Sequence, residues 1–186
     1  RKITRLVLGA AVSAAATAAL VAWETAARRR RGRRSVCTDT RSPADCEAMH
    51  AAKVGRIARQ LRDHKSKAPV SLRKRAVAHQ VPKPHDQRYR DEKIDISDLN
   101  AILSIDPVQR ICVAEPGVTF FDLVAATMRH RLVPIVVPEL KTITVGGAVS
   151  GCSIESMSFQ YGGFHDTCLG YEVVAFGKVS HYKHTA

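Results

Sequence analysis

The sequence predicts an α+β fold, on three observations. Two short β-branched runs flank the turn signal PVQ at residues 107–109, and an amphipathic helix follows them through about residue 131. A proline- and glycine-rich run then begins that suits no regular helix. The length of 186 residues is enough for one ordinary domain with an appendage, and too short for a two-domain enzyme.

The elements follow in chain order. Residues 6–23, LVLGAAVSAAATAALVAW, are eighteen uncharged residues, near the minimum for a helix that spans a hydrocarbon core, although eight are alanine. Six arginines follow at positions 28–31, 33 and 34, against Arg1, Lys2 and Arg5 ahead of the run. The positive-inside rule then predicts a single-pass anchor with the downstream domain on the cytoplasmic side, and so many arginines oppose export as a signal peptide. Residues 42–65 predict a basic amphipathic helix, with Val54, Ile57, Ala58 and Leu61 on one face. It is read as a linker between anchor and domain. The expected organisation is therefore an anchor with basic flank over 1–34, a helical linker over 35–68 and the domain proper over 69–186.

Residues 70–72 form a short strand candidate leading into the loop RKRAVAHQVPKP, where Pro82 and Pro84 exclude a regular helix. KIDISDLNAILSID and RICVAE read as paired strands, and Pro116-Gly117 ends the second. Thr119 with Asp122 three residues later is a helix-start signal, and Phe121, Val124, Ala125 and Met128 give that helix an apolar face. LVPIVVPELKTITVGGAVSGCSIES reads as a strand followed by a loop that exposes its backbone. Residues 176–186 read as a polar tail, and because the chain opens on Arg1, both ends are read as incomplete.

The formal net charge of +12 raises nucleic acid as a partner, since clustered Lys and Arg displace phosphate counterions. Its distribution argues against that. Residues 1–34 hold nine basic residues and one acid and residues 53–93 thirteen and four, whereas residues 94–186 hold six and nine. The part with the clearest folded pattern is acidic. Five cysteines, at 37, 46, 112, 152 and 168, show no CxxC spacing, which gives no zinc or disulfide signature and favours a reduced compartment. Cys112 sits in an apolar run and is expected in the core.

The stretch that carries chemistry is TVGGAVSG, residues 144–151. Glycine lacks a Cβ, so Gly146, Gly147 and Gly151 allow positive φ and let main-chain N–H groups approach an anion or a flat ring. It is neither a Walker loop, since no GKS or GKT follows, nor a GxGxxG fingerprint. By itself it is better read as a plain tight turn than as a ligand loop.

Around it, residues 93–174 carry five ordered blocks: SDLNAIL with ID, VAEPGV, VPEL followed by TVGG, IES with YGGF, and CLGYEVV. In these blocks the chain resembles the FAD-binding PCMH-type domain of the vanillyl-alcohol-oxidase superfamily, and within it the Diminuto/seladin branch of delta-24-sterol reductases. The resemblance implies an α+β domain, first subdomain and start of the second, that grips an extended FAD and hands redox chemistry to the flavin. It puts the flavin-contacting stretch on Thr144, Val145, Gly146, Gly147, Ala148, Ser150, Gly151, Cys152, Ser153, Ile154 and Glu155, with Pro138 and Glu139 leading into it. The loop from Ser71 to His79 would be a second diphosphate contact, and His165 in YGGFHD would lie beside the ring or make a structural hydrogen bond.

Two departures from the family pattern stand out. RKRAVAHQ lacks the glycines of the loop whose histidine links covalently to flavin in many members, which leaves His79 as a solvated loop residue or a flavin ligand. YEVV continues as AFGKVSHYKHTA rather than as the usual ADG and strand. The resemblance thus implies the FAD-binding part of an oxidoreductase acting on a sterol-like or other hydrophobic substrate through a domain not in this sequence, with no catalytic residue assignable and no metal expected. The alternatives are a non-catalytic truncated remnant and a basic module for lipid or nucleic acid.

Overall fold

The computed structural model describes residues 4–7, 36–65, 69–74 and 91–183. Its main sheet is five-stranded and antiparallel, in the order β4-β5-β1-β6-β7, from β1 (Thr4–Val7), β4 (Ile102–Asp106), β5 (Ile111–Ala114), β6 (Cys168–Ala175) and β7 (Lys178–Lys183). A separate parallel pair joins β2 (Val70–Arg73) to β3 (Glu92–Asp95), Ser71 opposite Lys93. Helices α1 (Pro43–Asp63), α2 (Phe120–Thr127), α3 (Val145–Ser150) and α4 (Ser158–Tyr161) complete the α+β fold.

Strand β1 corrects the expected span at its start. Leu6 pairs with Cys112 of β5 on one side and Cys168 of β6 on the other, so Leu6 and Val7 belong to a sheet and not to a helix. The expected anchor then falls on residues 8–23 of the apolar run. Those residues lie outside the described ones, and among the described residues no helix is long and apolar enough to cross a membrane.

Ser42 caps α1 by accepting the Asp45 amide at 3.1 Å, with Pro43 in the first turn, where its missing N–H costs nothing. The helix buries Cys46, His50, Val54, Ile57 and Ala58, spaced three and four apart along one face. Val54, Ile57 and Ala58 pack on Ile94, Ile96, Leu99 and Val174, so the segment read as a linker is part of the folded domain.

The polar tail is also corrected. Residues 178–183 pair along β6 from Ala175↔Lys178 to Gly170↔Lys183. The hairpin turns at Phe176 and Gly177, both at positive φ (51° and 71°), as a two-residue turn matched to strand twist demands. Every residue of β7 is exposed, so no hydrophobic alternation marks it in the sequence. The Gly177 tip rests on α1: its carbonyl accepts Arg62 Nη2 at 3.1 Å, and a Cβ there would lie 2.7 Å from the Arg62 Cβ.

Cys37 and Cys46 form a disulfide, contrary to the expectation of free thiols. A 3-10 turn (Cys37–Asp39) folds back on the first turns of α1 and brings the two Cα atoms to 5.9 Å, within bridging range. Cys112 is buried in the core, as expected, and burial pushes its thiol up to about 12. That core joins β5 to α2, α3 and the 3-10 turn Phe164–Thr167 through Cys112, Phe120, Leu123, Val145 and Phe164. Phe120 and Phe164 meet edge to face at 4.8 Å.

Candidate cofactor-binding site

The VAEPGV and TVGG blocks, some thirty residues apart in the chain, lie side by side. Thr119 and Thr144 form an antiparallel bridge, and each caps a helix, accepting the Asp122 and Gly147 amides respectively. Phe120 N donates to Ile143 O at 2.9 Å, Val145 N to Val118 O and Gly146 N to Pro116 O, both at 2.8 Å. The start of α3 is thus stitched to the turn after β5.

This geometry revises the role of the glycines. None of Gly146, Gly147 or Gly151 has positive φ, and residues 145–150 are helical rather than an open loop. The local sequence is a poor helix former, and the structure is imposed by the Thr144 cap and by packing. A Cβ on Gly146 would lie 2.5 Å from the Pro116 Cβ, so this glycine serves close approach of two chain segments. A Cβ on Gly147 would meet only Thr144 Oγ1, at 3.1 Å, so its other side is open. The amides of Val145, Gly146 and Gly147 all have protein acceptors, which moves the available binding surface onto the flank of α3 and the residues after it. The strand expected before TVGG is absent: residues 132–143 contain no named strand.

After α3 the chain turns through Cys152, a non-glycine residue at φ 50°. Ser150, Gly151, Cys152 and Ile154 are exposed, while Ala148 is buried beneath them. Ser153 ties this turn to YGGF by accepting the Phe164 amide at 2.8 Å. Glu155 accepts the Glu139 amide at 2.9 Å, which brings VPEL to IES, with Pro138 buried beside it. His165 follows in the same cluster, its Nε2 3.4 Å from Asp166 Oδ1 and its Nδ1 buried without a hydrogen-bond partner among the described residues. The chain therefore gathers Pro138, Glu139, residues 144–155 and His165 into one region. Ser71 stands on the other sheet, where Lys93 donates to its hydroxyl; His79 lies outside the described residues.

Sequence reasoning missed a buried polar cluster behind this region. Glu115 closes β5, fully buried, and its carboxylate receives Lys53 Nζ at 2.9 and 3.0 Å and the Ala101 amide at 2.7 Å. His50 Nδ1 lies 2.9 Å from Glu115 Oε1, and His50 Nε2 lies 3.3 Å from Glu172 Oε1 on β6. Burial alone would lower the His50 pKa. The hydrogen bonds and charges of Glu115 and Glu172 outweigh it and push the group up to about 9. Burial would likewise raise Glu115, but the bonds from His50, the Ala101 amide and Lys53 hold it below the usual carboxylate range. The available signal was a histidine at helical spacing between Cys46 and Val54, and a glutamate directly after an apolar strand.

Comparison with known proteins identifies the family of the domain. The family model described as an FAD binding domain matches residues 47–179, from within α1 to the start of β7. The chain belongs to that family. FAD is accordingly its cofactor, and the match counts α1 as part of the FAD-binding domain. The chain is 44% identical over 82 residues to the Delta(24)-sterol reductase homolog of Caenorhabditis elegans, covering 44% of this chain and 16% of that protein. It is 39% identical over 77 residues to the human Delta(24)-sterol reductase, covering 41% and 15%. It is also 36% identical over 90 residues to the decaprenylphosphoryl-beta-D-ribose oxidase of Mycolicibacterium smegmatis, covering 47% and 19%. The matched stretch is thus less than a fifth of each relative's length.

The FAD-binding family fits the residues present. Gly147 offers an open face where a side chain would intrude, and the exposed Ser150, Gly151, Cys152 and Ile154 continue that face. Exposed apolar side chains lie close in sequence, Ile154 at 70% and Phe159 at 86%, suited to cover a flat ring.

Proposed function

We propose that this chain is the cofactor-binding part of an FAD-dependent oxidoreductase that acts on a sterol or another hydrophobic substrate. The observation that carries the reading is the join of the EPGV turn to the TVGG helix, with IES and YGGF packed on the same side. The sterol class rests on the names of the sterol reductases that the chain resembles. The prenyl-type lipid in the name of the mycobacterial oxidase supports hydrophobic substrates more broadly.

In this reading Gly147, Ser150, Gly151, Cys152, Ile154 and Glu155 hold FAD, with Pro138, Glu139 and His165 beside them and Ser71 as a second contact. FAD, when bound, supplies the hydride-transfer chemistry. The residues of this chain bind it, orient it and exclude water from it. Membrane association stays part of the proposal, carried by the arginine cluster at 28–34 beside the apolar run. That cluster favours the cytoplasmic side, whereas the Cys37–Cys46 disulfide favours an oxidising compartment.

The test is FAD titration of the purified chain, followed by quenching of flavin fluorescence, with Gly147→Val as the variant. Stoichiometric FAD in the parent and at least tenfold weaker binding in a variant with an unchanged circular-dichroism spectrum is the expected result. Equal FAD affinity in the folded variant would remove Gly147 from the site; no binding by the parent would defeat the reading for this chain.

A further inference from the structure

Glu115 sits directly before the Pro116-Gly117 turn, and everything that touches its carboxylate comes from elsewhere in the fold. His50 and Lys53 reach it from α1, and the Ala101 amide reaches it from just ahead of β4. The turn it precedes is the one into which the start of α3 is packed. Pro116 O accepts the Gly146 amide, and the Pro116 ring leaves no room for a Cβ on Gly146. A shift of residues 115–117 therefore displaces Gly146 and, with it, the open face of Gly147.

We propose that Glu115, clamped by His50 and Lys53, is a positioning residue for cofactor binding: it sets the Pro116-Gly117 turn and thereby the shape of the Gly146-Gly147 surface that receives FAD. The cofactor half of this statement rests on the function proposed above; the geometric half does not. A fully buried carboxylate is costly to keep unless its lone pairs are filled, and here two side chains and one amide fill them. Filled in that way it has one arrangement, which is what a fixed backbone turn requires.

The clamp depends on the charge of His50. Glu115 and Glu172 face its two ring nitrogens, Lys53 shares Glu115, and His181 of β7 stands 3.7 Å from the other oxygen of Glu172. A protonated imidazole donates to both carboxylates, whereas a neutral one donates to only one. Loss of the proton thus leaves Glu115 or Glu172 without that donor. The raised pKa of His50 keeps the ring protonated, and both donors in place, through the neutral range.

The experiment compares the full chain with Glu115→Gln and His50→Gln, and uses Asp98→Asn, which breaks only an ion pair of half-exposed groups with Arg56, as a control. Amide hydrogen exchange at Val145 and Gly146 is measured first, since it needs no ligand. At least tenfold faster exchange there in Glu115→Gln and His50→Gln, with Leu123 to Ala126 of α2 still protected, is expected. FAD affinity is then measured at neutral pH. It is expected to weaken at least tenfold in both variants and to keep its parental value in Asp98→Asn. Folded variants with parental exchange at Val145 and Gly146 overturn the proposal. Faster exchange in a chain that binds no FAD at all supports the positioning role of Glu115 and defeats only the FAD reading. If Glu115→Gln does not fold, His50→Gln, which keeps the Lys53 and Ala101 contacts, decides the matter alone.

Discussion

His50 of α1 and Glu115 at the end of β5 are 65 residues apart in sequence and 2.9 Å apart in space, and both are buried. Glu172 of β6 takes the second ring nitrogen, so one imidazole holds a helix and two strands together.

The pH dependence of stability follows from that contact. The folded-state pKa of His50 is raised from 6.5 to about 9, so protonation favours the folded state. Its contribution is complete below about pH 6.5 and is lost as pH rises through about 9. Glu115 acts in the opposite sense: its pKa is depressed, so its contribution is present above about 4.5 and fades as pH falls through the folded value. Thermal melting from pH 4 to 10 is expected to give a plateau with a falling alkaline limb. In His50→Gln that limb disappears and the plateau is lower.

Gly146→Ala is expected to cost about 1–3 kcal/mol, the usual range for overpacking, because its new Cβ would stand 2.5 Å from Pro116 Cβ. Gly147→Ala meets only a hydroxyl and replaces glycine in a helix, so it is expected to leave stability within about 1 kcal/mol of the parent. Urea unfolding of the two variants measures the contrast. Equal destabilisation would contradict the assignment of Gly146 as the packing glycine.

Phe164 is fully buried and meets Phe120 edge to face. Phe164→Ala is expected to destabilise the domain by about 3–5 kcal/mol through lost burial and a residual cavity. Because its amide also binds Ser153 O, hydrogen exchange near residues 152–155 should rise in the variant.

Thiol labelling separates the five cysteines. Cys152 is exposed and is expected to react at once under native conditions, whereas Cys112 and Cys168 are buried and are expected to react only on unfolding. Cys37 and Cys46 are expected to stay unlabelled without reductant and to appear as a cross-linked peptide by mass spectrometry. Rapid labelling of all five in the unreduced protein would remove the disulfide.

Much of this was legible in the sequence, and the reasons are local. The α1 helix shows in the spacing of Val54, Ile57, Ala58 and Leu61, the helix start at Thr119 in its cap residue, and β4 and β5 in their β-branched runs around a turn. The five family blocks point to FAD by themselves. Signals of this kind depend on neighbours a few residues away, so the chain carries them by itself.

What the tertiary structure alone decided involves partners far apart in the chain. TVGG is helical because Thr144 caps it and because Val118 and Pro116, far earlier in the chain, accept its first amides. Leu6 and Val7 are strand because Cys112 and Cys168 lie on either side. β7 has no apolar alternation, and only its pairing with β6 makes it a strand. Cys37 meets Cys46 because a turn folds back, and His50, Lys53, Glu115 and Glu172 become one cluster because burying their charges requires each to find the others. Periodicity reports which face of an element is apolar; it holds no record of which element that face will meet.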